Sequence, residues 1–179
     1  AAVRRATTPL LGEIDFGALD GTANAEQAIQ ATVARWARGD LSARVGADGE
    51  SGSDVVGRVR GALELIATDL SSAESLGSPG SSVSGPSVVA VAHSAYLRQV
   101  LAVACGLPLA VTLALDQRNC CVDVLDVPLE VGGRRKATLL AANRIDHLDG
   151  LVSRRHDKAV SALQDSVAMA ASAYTSLGF

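Results

Sequence analysis

One stretch, VVAVAHSAYLRQVLAVACGL at 88–107, constrains this chain more than any other. Five small or β-branched apolar residues run up to the polar pair His93-Ser94, and a helical apolar rhythm follows at once. The pattern predicts a strand over 88–92 and a helix over 95–105. A polar pair at the carboxyl end of a strand, where a helix begins, faces the crevice in which open α/β sheets bind ligands. The helix start adds free N–H groups and a partial positive charge. Such a junction suits an anion, and phosphate first.

The rest of the chain alternates in the same way. Residues 1–22 read as loop, punctuated by Pro9, Gly12, Gly17 and Gly21. Thr22 or Asn24 is a candidate cap for a helix to about 38, with Ala28, Val33 and Trp36 on its apolar side. A long turn over 38–52 precedes an amphipathic helix over 53–70, with Ser53 as N-cap and Val55, Val59, Leu63, Ile66 and Leu70 in step with a 3.6 period. The low-complexity segment SSAESLGSPGSSVSGPS, 71–87, cannot bury enough apolar surface to offset its ordering entropy, and is expected to be a flexible loop. Strands are expected over 119–127 and 136–143, joined through a turn at 132–135, and a helix over 151–174. Strands alternating with helices argue for α/β layers in a single domain over 1–179.

Composition narrows the function. The hydrophobic fraction of 48% supports a full core, and aromatic residues at 3% leave Ala, Val and Leu to build it. Sixteen Lys and Arg against 19 Asp and Glu give −3, with no basic stripe interleaved with aromatics, so nucleic acid is not an expected partner. No apolar run reaches the roughly 18 to 20 residues of a membrane span, and no membrane is expected. The 3 cysteines, Cys105, Cys120 and Cys121, read as reduced thiols of a cytoplasmic protein; Cys120 and Cys121, neighbours on an expected strand, should point to opposite faces. No ligand spacing suggests a metal, and no cofactor is expected.

Four stretches, in order, resemble the histidine phosphatase superfamily, the phosphoglycerate mutase-like proteins. PLLGEIDFGALDGT (9–22) resembles the segment holding that family's proton donor, matched by Glu13. WARGD with GADGESGSDVVGRV resembles its Gly-Glu-Ser turn and following helix, and VVAVAHSAYLR its second pocket histidine, matched by His93. NCCVDVLDV and NRIDHL resemble its closing strands. The resemblance implies a three-layer sandwich with a mostly parallel sheet flanked by helices. It implies phosphatase or phosphomutase action on a small phosphorylated substrate through a phosphohistidine. His93 would hold the phosphoryl group and Glu13 would protonate the leaving oxygen. Ser94 is a candidate phosphate donor, and Asn119, a polar residue at a strand end, a candidate for the pocket rim. Glu50 and Ser51 are expected to cap the following helix, and Arg58 and Arg98 to form ion pairs on helix surfaces.

Two departures qualify the match. The family's nucleophile stands in an Arg-His-Gly motif on the first strand, and no such motif occurs among His93, His147 and His156. The chain is therefore expected to lack the family's first strand, as a fragment or an inactive relative. Ser94 stands where the family has Gly. Two alternatives stay open: a non-catalytic interaction domain of phosphatase-like fold, and a serine hydrolase using Ser94, with Ala92 and Tyr96 in the elbow's glycine positions. A homo-oligomer that lends a missing strand is also open.

Overall fold

The computed structural model describes residues 5–23, 25–75, 86–127 and 136–149. Within them the fold is α/β. Three helices, α1 (Ala25–Ala37), α2 (Gly52–Ser75) and α3 (Ser94–Ala104), precede a two-stranded sheet of β1 (Val122–Asp126) and β2 (Thr138–Arg144). Short 3-10 turns at Pro9–Leu11, Gly17–Leu19, Leu109–Leu113 and Asp146–Leu148 fill the connections. α2 packs on α3 and on Pro9–Leu11, while α1 and α3 both meet Leu109–Leu113. The core between them holds Ile14, Trp36, Ala43, Val45, Val55, Val59 and Tyr96. Trp36, the one tryptophan, is buried with its indole N–H donating to the Ala43 carbonyl at 2.8 Å, so its polar edge is satisfied inside the core.

Of the residues expected to cap α2, Ser51 does so, while Ser53 does not and Glu50 pairs with Arg58 instead. The Ser51 hydroxyl accepts from the Asp54 N–H at 3.2 Å, and the Asp54 carboxylate accepts from the Ser51 N–H at 3.0 Å. This reciprocal capping box satisfies two donors at once, which Ser53 cannot do from inside the first turn. The far end also differs. The helix continues through 71–75, where a loop was expected, and within it the Ser71 and Ser72 hydroxyls donate back to the Ala67 and Thr68 carbonyls at 2.9 and 2.8 Å instead of breaking the helix. The remainder of that expected loop, 76–85, lies outside the described residues, as do the turn at 132–135 and the helix expected over 151–174.

The segment 88–92 is not a strand here. It pairs with no described residue, and Val89 and Val91 are 90% and 83% exposed. β-branched residues favour a pleated, half-buried surface, and without a neighbouring strand that surface does not exist. The described sheet is antiparallel and registers Val122 with Arg144, Val124 with Ala141 and Asp126 with Thr138. Both strands are shorter at their starts than expected. Cys120 has φ 61 and sits in the turn before β1, so it is not a strand neighbour of Cys121. A register shift near Val122 faces Asn143, which adopts φ 51 and is buried. Asparagine tolerates that conformation. Its amide oxygen accepts from the Arg118 N–H at 2.9 Å, and its own N–H donates to Asp123 at 2.7 Å, tying the bulge to the turn.

Two glycines of α2 give opposite expectations. A Cβ on Gly57 would meet nothing within 4 Å, whereas one on Gly52 would lie 2.9 Å from two ring carbons of Trp36 and 3.1 Å from Leu41. Gly57→Ala should stabilise by about 0.5–1 kcal/mol through helix propensity, and Gly52→Ala should destabilise by about 1–3 kcal/mol through overpacking; urea unfolding of both variants checks this. The cap adds a pH dependence. The Ser51 N–H, then the Ser51 hydroxyl, and Arg44 at 3.1 Å hold the Asp54 carboxyl below its ordinary 3.8. A depressed folded-state value stabilises the fold above the ordinary value, and that contribution is lost as pH falls through it. Asp54→Asn should therefore lower the unfolding temperature near neutrality and converge with the parent chain as pH drops below 3.8.

Candidate functional site

The site is built on the loop 12–16. Ile14 is buried in the core, which turns its neighbours Glu13 and Asp15 away from it. The turn over 45–50 then locks onto this loop. The Glu50 N–H donates to the Asp15 carbonyl, and the Asp15 N–H donates to the Glu50 carboxylate, both at 2.9 Å. The Ala18 N–H donates to Asp48 at 2.9 Å. The approach is close enough that a Cβ on Gly49 would stand 2.6 Å from the Asp15 carbonyl oxygen. Only glycine fits there.

From the other side comes Arg58 of α2. Its Nε and Nη2 donate to the two carboxylate oxygens of Glu50 at 2.8 and 2.7 Å. Nη1 also donates to the carbonyls of Leu10 and Gly12 at 3.3 and 2.7 Å, and Nη2 to that of Glu13 at 3.1 Å. Its guanidinium carbon lies 4.4 Å from the centroid of the Tyr96 ring. Tyr96 is fully buried, and burial pushes its phenol up from 10.0, with Arg58 opposing and Glu50 adding to the shift. This is not the helix-surface pair expected for Arg58. The signal available in the sequence was its place beside Val59 and three residues after Val55, both buried. The other expected pair, of Arg98, does not form with any described residue; its Nε is buried without a hydrogen-bond partner among them.

Glu13 reaches α3. Its Oε1 accepts from the Ile14 N–H at 2.9 Å and from the Tyr96 N–H at 3.0 Å. Tyr96 is the third residue of α3, so its N–H is one of the donors that a helix start leaves free. Glu13 therefore caps α3 from a loop 83 residues away. The helix's own N-cap residue is His93, whose side chain makes no capping bond. His93 and Ser94 are exposed, and the first-turn N–H groups of Ser94 and Ala95 donate to no described residue. The fold thus brings Glu13 to the helix turn that begins at His93 and Ser94. It does not bond Asn119 to this group: Asn119 is exposed in the turn before β1. Among the described residues no group of three His, Cys, Asp or Glu could hold a metal, and no helix is long and apolar enough to cross a membrane. Cys105, Cys120 and Cys121 are free thiols.

The family model of the histidine phosphatase superfamily (branch 1) matches residues 2–139. That is more than half of the chain, and the chain belongs to this superfamily. Comparison with curated proteins and with solved structures finds no match.

The cap across the loop has a measurable weight. Glu13→Ala removes the acceptor from a fully buried residue's N–H and should cost about 1–3 kcal/mol, while Glu13→Gln keeps an amide oxygen in place and should cost less than about 1 kcal/mol. Denaturant unfolding of the two variants side by side checks the difference.

Proposed function

We propose that this chain is a phosphatase- or phosphomutase-like protein that binds a small phosphomonoester, with the phosphoryl group held at the start of α3 and the family's nucleophile absent from the sequence, as in a fragment or an inactive relative. His93 and the free N–H groups of Ser94 and Ala95 would hold its oxygens, with the Ser94 hydroxyl as a further donor. A helix N-terminus offers donors and a partial positive charge where charge accumulates in the transition state. Glu13 would protonate the leaving oxygen, a role that needs a carboxyl beside the phosphoryl group. The observation that carries this reading is the Glu13 carboxylate, 3.0 Å from the Tyr96 N–H on the turn that His93 begins. Membership of the superfamily supports the same chemistry.

The finer points of the reading follow from it. Asn119 would serve at the rim of the pocket. The domain would span 1–179, as the three-layer sandwich with a mostly parallel sheet that the family has. The free thiols support a reducing compartment, the cytoplasm. The sequence contains no Arg-His-Gly, so the phosphohistidine is assigned to no residue of it.

Binding and turnover therefore separate. Vanadate or inorganic phosphate should bind and displace the amide resonances of His93, Ser94 and Ala95, an effect that His93→Ala abolishes. p-Nitrophenyl phosphate should be turned over little or not at all by this chain. Robust hydrolysis that persists in His93→Ala would sink the assignment.

A further inference from the structure

We propose that Arg58, paired with Glu50, is the positioning residue for Glu13: it grips both ends of the contact between the Glu13 carboxylate and α3. The proposal rests on the reading of Glu13 as the acid of the site. A guanidinium has five N–H donors in a fixed plane. All five are spent here, two on Glu50 and three on the carbonyls of Leu10, Gly12 and Glu13. None remains for a phosphoryl oxygen, so Arg58 acts on the site through the residues it holds and not on substrate.

What it holds is specific. The three carbonyls span the loop from 10 to 13, and the Glu50 carboxylate returns to the Asp15 N–H, so the backbone on both sides of Glu13 is fixed. The guanidinium face lies on the ring of Tyr96, and the Tyr96 N–H is the donor on which Glu13 lands. One side chain thus meets the acid's own carbonyl and the ring of the residue that receives the acid. The pair is largely desolvated, with side-chain exposures of 16% and 18%. Desolvation offsets most of the attraction in such pairs, so their return is geometric more than energetic. Lysine cannot substitute: it has three donors and no planar face to lay on the ring.

The test reads the contact itself in the 179-residue chain. In the parent chain, Glu13→Gln should displace the Tyr96 backbone amide resonance, because it changes the acceptor of that N–H. In Arg58→Lys the same Glu13→Gln change should leave the Tyr96 resonance where it was, because the carboxylate no longer reaches it. A folded Arg58→Lys chain in which Glu13→Gln still produces the full displacement overturns the proposal. If Arg58→Lys does not fold, Glu50→Gln takes its place, with the same expectation and the same overturning result. Collapse of both variants also overturns it, since the pair would then hold up the fold at large and not the acid. Phosphate-induced shifts at His93 and Ser94, recorded on the parent chain, report on the site separately. Their absence would remove the proposed function and leave the clamp standing.

Discussion

A single guanidinium organises the described structure around the candidate site. Arg58 projects from α2 into the space where three pieces of chain meet: the loop 10–15, the turn that ends at Glu50, and the first turn of α3. Each piece alone has backbone groups that would be buried without partners. The carbonyls of Leu10, Gly12 and Glu13 all turn to Arg58 in partly buried contacts. Leaving any of them unbonded would cost about 1–3 kcal/mol. Arg58 and Glu50 between them supply the missing donors and acceptors, so irregular backbone can run through the interior at this place. The core then closes around it through Ile14, Val55, Val59 and Tyr96.

The same arrangement explains why the acid is where it is. Ile14 fills the core, so Glu13 must leave it on the side that faces α3. The helix start has N–H groups to offer, and its own N-cap residue, His93, does not use its side chain to take one. The Glu13 carboxylate takes the third, and the first two, of Ser94 and Ala95, donate to no described residue. Two needs of ordinary structure, a filled core and a capped helix, thus fix a carboxylate on the first turn of α3, whose N-cap residue is His93.

Much of this was legible in the sequence, and the limits have physical causes. The helices were readable because Val55, Val59 and the α3 residues repeat at the helical period, and the superfamily was readable through the four stretches that resemble it. The cap of α2 was read at both Ser51 and Ser53 because both suit the position, and only the return bond from Asp54 separates them. The end of α2 was misplaced because serines read as loop, yet their hydroxyls can bond back along a helix. The segment 88–92 has the composition of a strand, but a strand is a property of a pair, and no described residue pairs with it. Arg58 was misread because its partners are 45 to 48 residues away, and no periodicity reports on carbonyls at that distance.

Those separations also grade the chain entropy that each contact must overcome. Glu50 and Arg58 are 8 residues apart and can meet as α2 nucleates. The loop joins across 45 to 48 residues, and the bond from Glu13 to Tyr96 closes a span of 83. Closing that span costs about 2 kcal/mol more in chain entropy than closing the first. The Glu13 backbone is thus held by Arg58 across a shorter span of chain than the one its carboxylate closes onto α3.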